Sequence, residues 1–337
     1  MSQLTRSWRN GILAILFSSL LLFWPSQDSL AAKNEKPHTR AFFFTYAATV
    51  TGLKPGETAR IWVPVPPVRD EQQVEVISKD LPGKKLFGRD PTYNNLILYM
   101  EAKADEKGKI PFQLVYKVTR REVRTGGTKG IAKKEAAERI KRFLEPDKKV
   151  PITGKPLELI KGKKLPKDQV REGRLLYDVV NKHMVYAKDT PGWGQGDAVW
   201  ACGSGRGNCS DFHSLFISLA RSRKIPAKFE MGFPLPEKRG AGEVPGYHCW
   251  AWFHPKGKGW IPVDISEANK NPKMTEYYFG NLTANRVKFT TGRDIDLVPR
   301  QEGPALNFFI YPYVEVKGKP YPQEKVVRKF SFKDLDD

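Results

Sequence analysis

The sequence predicts an α+β protein, in which a small antiparallel β-sandwich-like domain precedes a domain of mixed helices and strands. Three observations lead there. Between Thr39 and Thr119 five strand-like runs follow one another, separated by clusters of Gly, Pro and Asp. From Asp168 onward apolar residues recur at helical spacing, and short strand-like runs return after Ala227. The chain of 337 residues can also bury two cores of ordinary size, so its stability requires no disulfide framework.

Residues 1–32 read as a signal peptide. Arg6 and Arg9 precede an apolar run from Gly11 to Trp24, and the small residues of "SLAAK" supply a cleavage site near Ala31 or Ala32. An uncleaved anchor is the alternative, although the run falls short of the roughly 20 apolar residues of a full span. The expectation is an exported protein, periplasmic or extracellular, whose mature form does not span a membrane. Such compartments are oxidising. The chain nevertheless has only three cysteines, Cys202, Cys209 and Cys249, and an odd count leaves at least one thiol free or intermolecular.

The expected β-sandwich-like domain covers residues 38–122, with "RAFFFTYAATV", "ARIWVPVPP", "QQVEVIS", "NNLILYM" and "PFQLVYKVT" as its strands. Nothing in it gathers His, Cys or carboxylates into a reactive set. Residues 123–167 form a basic helical linker, in which "IAKKEAAERIKRFL" has helical spacing and stops before Pro146. Net charge is +20, and the stretch from Lys117 to Arg174 alone holds 19 Lys/Arg against 8 Asp/Glu. A field of that sign suits an anionic cell-envelope polymer rather than a specific nucleic acid; a solvated basic helix is the plainer reading.

Residues 168–300 are the expected catalytic domain and 301–337 a C-terminal extension. The domain opens on the helix of "DQVREGRLLYDVVNKHMVY", where Val170, Leu175, Leu176, Val179 and Val180 make a buried stripe. "AKDTPGWGQGDAVWACGSGRGN" follows as a long loop, and loops of that length are usually functional or disordered. After Cys209, the residues Phe212, Leu215, Phe216 and Leu219 fall at i, i+3, i+4 and i+7 of a buried helix ending near Pro226. Cys209 therefore sits at a helix N-terminus, where unpaired N–H groups and the dipole favour a thiolate. Asp197 and Asp211 suit capping of helix ends.

Two further runs, "AKFEMGF" and "GYHCWAWF", read as strands. Alternation places His248, Trp250 and Trp252 on one face and Cys249 and Ala251 on the other, which makes Cys249 a core residue behind His248. "GWIPVDIS" follows a Gly-rich turn as a hairpin partner and carries Asp264. Neighbouring strands bring Cβ atoms to about 4.5–5.5 Å, within reach of the imidazole. The three residue types suit one chemistry: a thiolate attacks an acyl carbon, an imidazole moves the proton, and a carboxylate orients the ring.

In this order the segments "GNCSDFHSLFISLARSRKIPAKFEMGF", "GYHCWAWF" and "GWIPVDIS" resemble the transglutaminase-like superfamily, whose core is similar to papain-like cysteine proteases. The resemblance covers about Gln169 to Ser266, and "YYFGNLTANRVKFTTGRDIDLVP" resembles the extension of bacterial exported members. It implies a papain-like fold with Cys209 as nucleophile, His248 as general acid/base and Asp264 as orienting carboxylate. The implied substrate is a protein or peptide, and no cofactor is implied. Family members include cross-linking acyltransferases, proteases, amidases and inactive scaffolds. The first oxyanion donor would be the backbone N–H of Cys209, and the second an upstream side chain among Trp193, Gln195 and Trp200, with Trp193 preferred.

Alternatives stand beside these readings. Cys202 is a loop thiol, a partner for Cys249, or a lock on Cys209 through a disulfide. His213, one turn beyond Cys209, either lines the site or is a polar surface residue. No metal is expected, because Cys202, Cys209, His213, His248 and Cys249 match no paired zinc spacing. A catalytically silent envelope-binding module, using the basic region and the β domain, is the second functional reading.

Overall fold

The computed structural model describes residues 36–131, 135 and 137–335, so the expected signal peptide lies outside the described residues. Alternating burial drives the first half into strands: β1 (Thr39–Val50) hides every second side chain, and β6 (Ile110–Arg121) does the same. Between them come β2 (Thr58–Val65), β3 (Gln72–Asp80), β4 (Lys84–Arg89) and β5 (Leu96–Lys103). β7 (Val123–Arg124) is short, and α1 (Ala137–Arg142) is the described part of the helix expected from Ile131. Ile131 itself is not helical, because its N–H and C=O are both bonded to Trp260.

Then follow α2 (Gln169–His183), β8 (Val185–Tyr186), α3 (Ala198–Ser204), β9 (Arg206–Gly207), α4 (Cys209–Ser222), β10 (Ala227–Pro234), β11 (Ala241–Glu243) and β12 (His248–Phe253). β13 (Ile261–Val263), α5 (Ile265–Lys270), α6 (Thr275–Tyr278), β14 (Asn281–Leu282) and β15 (Arg286–Thr291) complete the predicted catalytic region. β16 (Tyr313–Val316), β17 (Lys319–Pro320) and β18 (Val326–Asp334) close the chain. The fold is α+β, as the sequence predicts. α3 lies inside the stretch expected to be a long loop: Asp197 Oδ1 accepts the N–H groups of Val199 and Trp200 at its start, and Gly205 ends it at φ 63°.

Two five-stranded sheets form the β-sandwich-like part, in the orders β11-β18-β1-β6-β3 and β17-β16-β2-β5-β4. Both orders include strands from the residues expected to be a C-terminal extension. β18 pairs with β1 from Phe42–Asp334 to Val50–Val326, and β16 pairs with β2. The described residues from Pro37 onward thus make one compact unit.

The four-stranded sheet β13-β12-β10-β15 carries the site. α4 covers one face of it, above Cys249, Ala251 and Phe253, and 13 of the helix's 14 residues are buried. The other face carries Trp250 and Trp252, whose indole N–H groups both donate to Glu230 Oε2 at 2.9 and 2.7 Å. β15 is an edge strand, and two buried amide side chains from the β-sandwich occupy its backbone. Gln72 Nε2 donates to the Lys288 carbonyl at 3.0 Å while Lys288 N–H donates to Gln72 Oε1 at 2.7 Å. Asn95 treats Thr291 in the same way, at 2.8 and 2.7 Å. Each amide acts as a one-residue strand and seals the edge.

Gln72→Met keeps the volume but leaves the Lys288 N–H and C=O without those partners in a buried place, so it is expected to cost about 1–3 kcal/mol. Urea unfolding of the variant against the unaltered protein measures this, and an unchanged midpoint contradicts the clamp.

Candidate active site

The site is assembled where the N-terminus of α4 meets the start of β12 and the end of β13. Asn208 caps α4: its side chain accepts from Ser210 N–H at 2.8 Å, and Asp211 Oδ2 accepts back from Asn208 N–H at 2.9 Å. This capping box fixes the backbone on both sides of Cys209. Asp211 Oδ2 also accepts from Gly194 N–H and its Oδ1 from Gly196 N–H, at 2.7 and 2.9 Å, so the preceding loop is tied to the same carboxylate.

His248 is hydrogen-bonded on both sides. Its Nε2 lies 2.8 Å from Asp264 Oδ2, and Cys209 is its other side-chain partner. Asp264 is fully buried, and Arg286 Nη1 donates to the same Oδ2 at 3.0 Å. The position of Asp264 differs from expectation. β13 ends at Val263, paired with Ala251, and Asp264 follows as the N-cap of α5, accepting from Glu267 N–H at 3.4 Å. It is therefore reached past the last ladder pair rather than directly across from His248.

The electrostatics run in alternation along this line. Burial alone would depress the His248 imidazole, but the charge and hydrogen bond of Asp264, with Cys209, raise it to about 10. Burial likewise opposes ionisation of Cys209, yet the hydrogen bonds from Cys249 and His248 and the charge of His248 hold its thiol well below the usual range. Asp264 is held far below the usual carboxylate range despite its burial, first by His248 and then by Arg286. Arg286 was not visible as a site residue in the sequence, because only the pairing of β15 with β10 brings it there.

His213 is buried, not on a polar surface face. Its Nε2 accepts from Ile265 N–H at 3.0 Å, which leaves the proton on Nδ1, donated to the Cys209 carbonyl at 2.7 Å. Burial pushes its pKa down, in keeping with a neutral ring. Cys249 is buried as expected, but its Sγ lies over the first turn of α4, 3.8 Å from Ser210 Oγ and 3.7 Å from His213 Nδ1. Cys202 is elsewhere, with its Sγ 3.3 Å from the Lys155 carbonyl, and all three cysteines are free thiols.

The three candidate second oxyanion donors have other contacts. Trp193 is 38% exposed with Lys188 over its ring, and Trp200 packs its indole against Gly192. The backbone carbonyl of Gln195, rather than its side-chain amide, accepts from Arg293 Nη2 and Asn307 Nδ2 at 3.0 and 2.8 Å. His248 opens onto a cavity of about 620 Å³, whose walls include Tyr186, Tyr247, Glu267, Lys270 and Arg286. His248, Asp264 and Glu267 bring one potential ligand atom each within 4.8 Å of one another. Those atoms already serve one another and their neighbours, Asp264 with His248 and Arg286, and Glu267 with Lys270.

Residues 158–265, which include Cys209, His248 and Asp264, match the transglutaminase-like superfamily. The chain carries a transglutaminase-like core. An uncharacterized protein of Haemophilus influenzae is similar to the chain over 342 aligned residues at 28% identity, covering 85% of this chain and 88% of that protein. The crystal structure of a proposed cysteine protease from Cytophaga hutchinsonii shares the fold, with TM-score 0.54 and 16% identity over 89% of this chain and 93% of that one. The periplasmic domain of TgpA from Pseudomonas aeruginosa is similar at TM-score 0.35 and 14% identity, over 72% of this chain and 91% of that domain. Around the transglutaminase-like core, no helix among the described residues is long and apolar enough to cross a membrane.

The alternating charges of the transglutaminase-like core predict a thiolate at Cys209 at pH values where a free cysteine, with pKa about 8.5, stays protonated. In His248→Ala the imidazolium no longer offsets the burial, so the thiol pKa should rise. Thiolate absorbance against pH for the two proteins checks this, and superimposable titrations would contradict the ion pair.

Proposed function

We propose that the protein is an exported thiol-dependent acyl-transfer enzyme that acts on amide bonds of a protein or peptide. The observation that carries this reading is the buried line Cys209, His248, Asp264, Arg286, which poises a thiolate beside an imidazolium at the edge of a cavity. Family membership of the core supports it.

In this reading the Cys209 thiolate attacks the acyl carbon, and the oxyanion that forms meets the backbone N–H of Cys209. As the first residue of α4, Cys209 has no intrahelical acceptor for that N–H. His248 gives its proton to the leaving amine, and a thioester remains on Cys209. The neutral imidazole then takes a proton from the second nucleophile, water or an amine, as it attacks the thioester. Asp264 keeps the ring oriented and stabilises its charge throughout. His213 acts at one remove: it ties the Cys209 carbonyl to the backbone that follows Asp264, and so fixes the spacing between nucleophile and carboxylate.

Export is inferred from residues 1–32, and a partner in the envelope from exposed Lys161, Lys163, Lys164 and Lys167. Polyanions of that compartment would hold the enzyme near its substrate.

Cys209→Ala should lower amide turnover by on the order of 10³ or more, and Asp264→Asn by about 10²–10⁴, with fold retained. A peptide-amide library assayed with and without an added amine reads both turnover and the acceptor. Turnover by Cys209→Ala equal to that of the unaltered protein would refute the proposal.

A further inference from the structure

Cys249 takes no part in the steps above, yet its thiol is buried against the nucleophile. It faces α4 with Ala251 and Phe253, at the turn that Cys209 opens, and each of the two thiols shifts the other's ionisation. Its Sγ also lies 3.8 Å from Ser210 Oγ and 3.7 Å from His213 Nδ1, so it is held over the first turn of α4. Cys209 is 2% exposed and Cys249 not at all. The way in to Cys209 is the cavity at His248, which would admit hydrogen peroxide as it would a peptide amide.

We propose that Cys209 and Cys249 form an oxidative modification site for hydrogen peroxide, in which Cys249 resolves oxidised Cys209 to an intrachain disulfide. In the first step the Cys209 thiolate attacks one peroxide oxygen, the O–O bond breaks, and the departing hydroxide takes up a proton as water. Cys209 is left as a sulfenic acid, oxidised by two electrons. In the second step the Cys249 sulfur attacks the Cys209 sulfur, the S–O bond breaks, and the leaving hydroxide departs as water with the proton of Cys249. Two thiols and one peroxide give one disulfide and two waters.

The structure favours both steps. The Cys209 thiolate is the species that reacts with peroxide, whereas the neighbouring Cys249 thiol, kept protonated first by burial and then by the charge of Cys209, waits as a donor. Conversion of Cys209 to the neutral sulfenic acid removes that charge and releases Cys249 to react. The two sulfurs must close to a bond of about 2.05 Å. Rotation of the two side chains would bring them together with the capped start of α4 left in place. Cys202 is outside the reaction, because its thiol is bonded to the Lys155 carbonyl on α3's far partner segment. The earlier expectation of a Cys202 lock on Cys209 thus passes to Cys249.

The test is a non-reducing peptide map of the purified protein after treatment with limiting hydrogen peroxide. The expected product links Cys209 to Cys249, leaves Cys202 free, and reverts with dithiothreitol. In Cys249→Ala, and in Cys249→Ser should the first fold poorly, Cys209 should instead give a dimedone-reactive sulfenic acid and then sulfinic and sulfonic acids that dithiothreitol does not reverse. Over-oxidation of Cys209 in the unaltered protein without the linked pair, or a link to Cys202, would overturn the proposal. A Cys209–Cys249 link in a protein that cleaves no amide would leave this site standing and remove the acyl-transfer reading; turnover without the link would do the reverse.

Discussion

The buried negative charge of Asp264 is the constraint around which the site is built. An isolated carboxylate at that depth would cost several kcal/mol of lost hydration, and removing one partner of such a charge is far more damaging than replacing the whole set. Asp264 has four sources of relief: His248, Arg286, the N-terminus of α5 and the hydroxyl of Ser266. From Arg286 to Cys209 the charges then alternate in sign, so each group's ionisation is explained by the next. A neutral site with the same four side chains would lack a nucleophile, a proton donor and an orienting anion at once.

That line depends on parts of the chain remote from it. Arg286 belongs to β15, whose outer edge is held by Gln72 and Asn95 of the β-sandwich. Arg40 on β1 reaches Asn285, the residue before Arg286, and the Pro236 carbonyl beyond β10. Arg293, just after β15, holds the Gly196 carbonyl and Ser214 of α4, and so secures the loop that leads to Cys209. The β-sandwich is therefore a buttress for the reactive residues even though it supplies none of them.

The proposed nucleophile, imidazole and carboxylate were legible in the sequence because each is marked locally. Cys209 follows a Gly-rich turn at the head of an apolar-periodic helix, His248 begins a strand, and Asp264 ends one. What was missed depends on register and distance. Asp264 proved to be a helix cap, because the ladder of β12 and β13 stops one residue earlier. Arg286 meets Asp264, and Cys249 the first turn of α4, only once strands and helix are stacked. The helix α3 was marked by Asp197 and Gly205, yet its few residues could not compete with the surrounding glycines as a signal. β16 and β17 are too short to show alternation, and β18 buries too few of its side chains in a regular pattern to announce a partner far upstream.

The pairing of β18 with β1 also sets an order of assembly. Arg40 and its ion-pair partner Asp334 are 294 positions apart, and a ribosome releases β1 long before β18 exists. Until the final strand arrives, one edge of the first sheet has no neighbour and the face beneath it remains wet. Arg40 lacks that ionic anchor during the same interval, and with it the firm hold on the segment before Arg286. A chain halted before β18 would thus carry Cys209, His248 and Asp264 on a scaffold whose first sheet lacks the strand that covers β1.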